Sequence, residues 1–228
     1  MNIIREPYAP GEHLYDFQES VRFLRSVGRG ENPSTLRFYS PAPNVAFGRR
    51  DELNPYFSAA KQAAHDAGYV AAVRPVGGHA AAYHGGCLVV DHFQAAVDAV
   101  SGNMDRFDIF ARMYVRVLES LGVHAGVGEI PGEYCPGEYS VYARTDAGAR
   151  VKIVGTAQRV VSGAWWFSAG IVVDNSAPLR QVTTDVYREL GLTLNPQTVG
   201  AITDINPLVA VEDVEDAVLG ALAEMGFC

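Results

Sequence analysis

Basic residues are scarce in this chain: 18 Lys and Arg stand against 26 Asp and Glu, a formal net charge of −8. A surface of that sign argues against broad electrostatic binding to nucleic acid, which needs a positive face. Cysteine is scarcer still. Cys87, Cys135 and Cys228 are the only three, and no two form a CxxC pair. That spacing supports neither a disulfide framework nor a zinc site, so a special cysteine here would be special through reactivity. No apolar run approaches a membrane span, and the opening "MNIIREPYAPGEH" lacks the apolar stretch of a signal peptide. The chain therefore reads as soluble and cytoplasmic. Charged residues make up only 19% of the 228 positions and hydrophobic ones 48%, which excludes disorder and allows a sizeable core.

The pattern that remains is a mixture of helix and strand. Leu14, Phe17, Val21 and Leu24 recur at helical spacing and Gly28 stops the run. "TLRFYSP" and "NVAFG" predict two short strands joined by a Pro-containing turn. Asn54-Pro55 predicts a helix start, with an end near Gly68. Buried strands over 69–75 and 87–93 flank a glycine-rich loop, and a long helix follows over about 103–121. "YSVYAR" and "RVKIVG" flank the residues 145–149 as a hairpin, "AWWFSAGIVVD" is a further strand, and helices over about 177–190 and 211–225 close the chain. With no repeat and no linker, the expectation is one α+β domain over 1–228. Its sheet should be mixed, mostly antiparallel, with flanking helices. Trp165, Trp166 and Phe167 are expected to be core plus one exposed edge.

Three places suggest chemistry. "RPVGGHAAAYHGG" (74–86) sets small residues between two strands, where backbone N–H groups can approach an acyl carbonyl or a phosphate. It lacks a P-loop ending and the dinucleotide spacing. Lys152 lies among Val151, Ile153 and Val154, just before Gly155. An exposed lysine on an edge strand is the ordinary reading. An ammonium in a partly apolar pocket is the sharper one, because poor screening makes its charge worth more. Cys135 sits in "PGEYCPGEY", a rigid loop that can present a nucleophile. Glu133 and Glu138 beside it disfavour a thiolate, so an active Cys135 needs a compensating cation, and Lys152 is the candidate. The spacing of His79, His84 and His92 does not suit a metal site; His79 or His84 is expected to line the pocket of the glycine-rich loop.

In order along the chain, "LRFYSPAPNVAFGRRD" (36–51), "AVRPVGGHAAAYH" (72–84) and "VKIVGTAQRV" (151–160) resemble the lipoate-protein ligase and octanoyltransferase family, whose fold is shared with biotin ligases. The last stretch is the most specific, being close to a Lys-Ile/Val-x-Gly-Ser-Ala-Gln-Arg signature. The loop departs from its family pattern: Val73 replaces one of a pair of arginines, leaving Arg74; Val76 replaces a hydroxyl residue; His79 replaces glycine or arginine. Tyr83 takes the usual histidine slot unless one extra alanine restores His84 to it. Ala169-Gly170 stands where a histidine-glycine pair is usual.

The resemblance implies an enzyme of protein lipoylation that passes an octanoyl or lipoyl group to a lysine of a lipoyl domain. Three features lean toward octanoyl transfer through a cysteine thioester. Cys135 precedes the lysine strand, the Asn-Asp pair usual in ligases is missing there, and no C-terminal accessory domain follows. Cys135 and Lys152 are then the catalytic residues, Lys152 lowering the thiol's pKa or steadying the oxyanion. Arg74, Gly77, Gly78, His79, Tyr83, His84, Gly155, Thr156 and Ala157 bind substrate. No metal or cofactor is expected for transfer. Lipoate ligation, the rival, needs ATP and magnesium. The expected partners are acyl carrier protein as donor, and lipoyl domains of 2-oxoacid dehydrogenases or the glycine cleavage H protein as acceptors. A binder of acyl groups or lipoyl domains without chemistry is the rival from another class, suggested by the altered loop.

Overall fold

Two sheets share the helices between them. A computed structural model describes residues 1–6 and 17–227; Leu14 and Cys228 lie outside the described residues. The larger sheet has seven strands in the order β1 (Asn2–Glu6), β2 (Thr35–Tyr39), β6 (Cys87–Ala95), β10 (Ala164–Val172), β9 (Arg150–Val161), β8 (Val141–Arg144) and β7 (Ala125–Val127). Only β1 and β2 run parallel; every other pairing in this sheet is antiparallel. The smaller sheet, order β4 (Val70–Val73), β3 (Asn44–Phe47), β5 (Ala81–Tyr83), pairs β3 with β4 in parallel and with β5 antiparallel. The expected α+β fold with a mixed, mostly antiparallel sheet is what the chain forms.

Period-two alternation along β10 decides which face each side chain covers. Trp165, Phe167, Ala169 and Ile171 join the main core beneath α4 (Asn103–Ser120) and α6 (Val211–Glu224). Ala164 and Trp166 point the other way, onto α1 (Phe17–Gly28), where Val21, Leu24 and Val27 fill the interface. Because both faces are covered, Trp165, Trp166 and Phe167 are all buried, at 6%, 1% and 2% exposure. The exposed edge expected among them does not exist. Trp166 satisfies its indole by donating to Asp91 Oδ1 at 2.9 Å, and Asp91 Oδ2 accepts from Arg37 at 2.6 Å.

A third cluster joins the small sheet to α3 (Phe57–Asp66) and α5 (Ser176–Leu190) through Ala60, Ala64, Val182, Val186 and Tyr187. The helix expected from Asn54 starts later, at Phe57, after a four-residue helix α2 (Arg49–Glu52). Asn54 accepts from the Tyr56 N–H and donates to the Leu190 carbonyl, so it stitches a turn instead of capping a helix. β2 and β3 are adjacent in sequence but belong to different sheets. Residues 81–83, read as loop, form β5, and β4 is half-buried where a buried strand was expected.

His92 is 3% exposed and edges onto Phe110, Trp165 and Phe227, with ring centroids 5.7, 4.6 and 4.7 Å away. Burial drives its pKa down to about 4 from 6.5, against a weak opposing bond to Gln94. A depressed histidine contributes stability that is full above pH 6.5 and is lost as pH falls toward 4, because the unfolded chain takes the proton first. Urea unfolding at pH 7 and pH 4.5 should show the His92→Phe variant losing about 2–3 kcal/mol less on acidification than the native chain. Equal losses would refute the assignment.

Candidate active site

Lys152 owes its position to strand geometry. Val151 and Ile153 point into the main core, so Lys152 must point to the opposite face, toward the small sheet and its glycine-rich loop. It is 2% exposed. Its ammonium lies 2.8 Å from Glu133 Oε2 and donates to the carbonyls of Tyr134 (3.0 Å) and Cys135 (2.8 Å). The Tyr134 ring lies beneath it, its centroid 4.9 Å from Nζ. Glu133 is buried too, and the pair lies outside hydrogen-bonding angles for Oε2, so it is an ion pair and not an aligned hydrogen bond. Glu133 Oε1 accepts from the Ile130 N–H at 3.0 Å. The exposed edge-strand reading of Lys152 is therefore excluded.

Cys135 adopts a left-handed backbone, φ 43°, which is uncommon for a residue with a Cβ. Four contacts hold it there. Its N–H donates to Tyr187 Oη at 2.6 Å, its carbonyl accepts from Lys152, and its Sγ lies 3.3 Å from Arg74 Nη2. The fourth is Gly78: a Cβ built there would stand 2.5 Å from Sγ, and at φ 99° the position favours glycine twice over. The expected meeting of Cys135 and Lys152 does occur, but at the backbone. The cation on the sulfur is Arg74.

Burial disfavours the Arg74 charge, yet the neighbouring Cys135 and Tyr83 outweigh it and raise its pKa. Burial likewise pushes the Tyr83 hydroxyl up to about 12, against Arg74, and holds Tyr134 and Tyr187 well above their ordinary values. The Tyr187 hydroxyl, kept neutral, donates to the Ala80 carbonyl at 3.1 Å. Cys87, fully buried, is pushed up to about 12 despite a bond to His84, whereas Cys135 is only half-buried. Of these two thiols, geometry exposes Cys135 to reagents.

Two cavities meet at this cluster and share Arg74, Tyr83, Gly155, Thr156 and Ala157 as walls. The larger, ≈ 1040 Å³ and open to solvent, carries Gly77, Gly78, Cys135 and Lys152. The smaller is lined in part by Phe17, Tyr39, Val76, Val89 and Trp166. Pairing of β8 with β9 ends at Val154, so beyond that residue the edge of β9 borders the larger cavity. Seven of the nine expected binding residues, all but the two histidines, therefore line the larger cavity. His84 instead holds backbone, its Nε2 on the Asn175 carbonyl and its Nδ1 accepting from the Gly86 N–H. His79 turns to Asp51, with Nδ1 2.7 Å from Oδ1. Neither lines these cavities, and no cluster among the described residues could hold a metal.

Tyr83 reaches its place because Gly170 has no side chain: a Cβ there would stand 2.5 Å from Tyr83 Cε1 and 2.8 Å from Oη. Gly170→Ala should cost about 1–3 kcal/mol by overpacking. Tyr83→Leu in the same chain should recover most of it, as read by urea unfolding. Additive losses in the double variant would show that the clash lies elsewhere.

Sequence reasoning missed Tyr187, Asp51 and the pairing of Glu133 with Lys152. Tyr187 sits on the apolar face of α5 with Leu179, Val182, Val186 and Leu190. A hydroxyl on such a face was its one signal, since a buried tyrosine needs a partner.

A buried lysine and a loop-borne cysteine thus stand beside a glycine-rich turn, the groups that an acyl-transfer site uses. Residues 14–223 match the lipoyl protein ligase A/B catalytic domain, and the chain belongs to that family. It is 27% identical over 200 residues to an octanoyl-[GcvH]:protein N-octanoyltransferase of Geobacillus kaustophilus, covering 86% of this chain and 69% of the relative. It is 25% identical over 206 residues to the enzyme of that name from Bacillus velezensis, covering 88% and 68%. Among solved structures, a lipoate-protein ligase A bound with ATP superposes with a TM-score of 0.67 at 20% identity, over 98% of this chain and 84% of that one. A bipartite lipoate protein ligase from Thermoplasma acidophilum gives 0.64 at 20% identity, over 98% and 82%. At that identity both show the fold alone.

Proposed function

We propose that the protein is an octanoyltransferase of protein lipoylation that works through a thioester on Cys135. The observation that carries this is the presentation of Cys135: a left-handed residue that borders the larger, open cavity, with a buried guanidinium 3.3 Å from its sulfur. The Cys135 thiolate attacks the octanoyl carbonyl carbon of a protein-bound donor. The donor's thiol or lysine amine takes up a proton and leaves, and the octanoyl group remains on sulfur. An acceptor lysine of a lipoyl domain then attacks, loses its proton and carries the group away as an amide, returning the thiolate. Splitting the transfer this way replaces one hard displacement with two easier ones. The smaller cavity, walled by Phe17, Val76, Val89 and Trp166, offers an apolar lining to the hydrocarbon chain, and Arg74, 3.3 Å from the sulfur, is a cation for the developing oxyanion.

The relatives' names put octanoyl-[GcvH] on the donor side, which favours an octanoylated glycine cleavage H protein as donor here; octanoyl-acyl carrier protein is the other candidate. No cofactor is needed. Glu133, 2.8 Å from the Lys152 ammonium, already neutralises it, which disfavours the rival reading in which Lys152 holds an adenylate phosphate. In this reading residues 1–228 act as one catalytic domain in the cytoplasm. No helix among the described residues is long and apolar enough to cross a membrane.

A thioester intermediate is less stable than the amides on either side of it, so it accumulates best from a thioester donor. The test is intact mass spectrometry without ATP after mixing with octanoyl-acyl carrier protein, followed by transfer from octanoyl-H protein to a lipoyl domain. A hydroxylamine-labile octanoyl adduct on Cys135 and ATP-free transfer are expected. Neither adduct nor transfer, together with AMP release from lipoate and ATP, would replace this reading with ligation. Tight binding with no turnover in either assay would leave a non-catalytic binder.

A further inference from the structure

We propose that Asp51 and His79 are positioning residues for the nucleophile, holding Arg74 on the Cys135 sulfur through the His79 carbonyl. The proposal rests on the acyl-transfer reading of Cys135 and adds a device to it. Asp51 is 1% exposed and sits in α2, just after the Gly48 turn. Its Oδ2 accepts from the Gly48 N–H at 2.9 Å and its Oδ1 meets His79 Nδ1 at 2.7 Å. A carboxylate only accepts, so the His79 proton sits on Nδ1 and donates to Asp51. One buried side chain thus bolts the Gly48 turn to the glycine-rich loop.

The two segments touch directly as well. A Cβ on Gly48 would collide with the Gly78 carbonyl oxygen, so the close approach of the two backbones requires glycine there. With its side chain anchored, His79 has a fixed peptide plane, and its carbonyl accepts from Arg74 Nη2 at 2.7 Å. That same nitrogen lies 3.3 Å from Cys135 Sγ. Arg74 Nε is buried and has no hydrogen-bond partner, so it does nothing to orient the guanidinium. The orientation that serves the sulfur therefore depends on the His79 carbonyl. The chain of contacts runs Asp51, His79, Arg74, Cys135. The residue that replaces the expected glycine or arginine is then the loop's anchor, not a sign of its decay.

The test follows alkylation of Cys135 by iodoacetamide from pH 5 to 9, localised by peptide mapping, beside kcat and KM for octanoyl transfer. His79→Ala should slow alkylation at neutral pH by about tenfold and move its midpoint to higher pH. It should lower kcat by a similar factor while KM for the donor changes less than about twofold. His79→Asn, whose amide N–H can still reach Asp51, should recover most of both losses. Asp51→Asn, which keeps an acceptor for the Gly48 N–H, should move alkylation the same way by less, and decides the matter if His79→Ala does not fold. Native alkylation profiles in these variants, or a change in KM alone, would overturn the proposal. If the native protein takes octanoyl from no donor, the transferase reading falls, yet the alkylation profiles still decide whether the anchor exists.

Discussion

Cys135→Ala is expected to take up no octanoyl group and to lose at least about 10³-fold in turnover, because no other side chain lining the open cavity offers a nucleophilic sulfur. The fold should survive the change. Tyr187 holds the backbone N–H of residue 135 and Lys152 its carbonyl, and both contacts persist when the side chain is shortened. Cys135→Gly sharpens the test. A left-handed φ of 43° costs a residue with a Cβ about 1 kcal/mol and costs glycine almost nothing. The glycine variant should therefore be equally inactive but about 1 kcal/mol more stable than Cys135→Ala in urea unfolding. A more stable, inactive protein would show strain held at the site for the sake of the sulfur's direction. Residual turnover within tenfold of native in either variant would remove Cys135 from the chemistry.

Lys152→Met is expected to lose about 3–5 kcal/mol, since Glu133 would be left as a buried charge without its partner. It should also lose acyl transfer, and the two losses have different causes. Adding Glu133→Gln removes the stranded charge and should restore stability to within about 1–2 kcal/mol of native, as replacement of whole buried ion pairs tends to do. Activity should not return with it, because the carbonyls of Tyr134 and Cys135 still lack the ammonium that ties the Cys135 loop down. Urea unfolding and transfer assays on the single and double variants separate the effects. A stable, fully active double variant would reduce Lys152 to a partner for Glu133 and deny it any part in placing Cys135.

Sequence carried further for the strands than for the contacts among them. The hairpin of β8 and β9, the long helix α4 and the strand β10 were legible because their apolar periods are local and unbroken. β5 was not, since "AAY" inside a glycine- and alanine-rich stretch has no period to read, and only pairing with β3 makes it a strand. The burial of Trp165 together with Trp166 was not legible either. Alternation says that neighbours point to opposite faces, and whether both faces are covered depends on where α1, α4 and α6 come to rest.

The site divides in the same way. The sequence alone determined the chemical inventory: a lysine that alternation turns away from the core, a cysteine in a Pro- and Gly-rich loop, and a glycine-rich turn with one arginine. These follow from residue type and short spacings. Tertiary structure alone decided the assignment of roles. Lys152 is neutralised by Glu133 and spends its donors on two carbonyls, Arg74 takes the sulfur, Tyr187 takes the Cys135 N–H, and Asp51 anchors His79. The physical reason is range. Periodicity and turn chemistry act within a few residues, whereas the partner of a buried charge is whichever opposite group the packing brings within about 3 Å, and Arg74 lies 61 positions from the cysteine it serves.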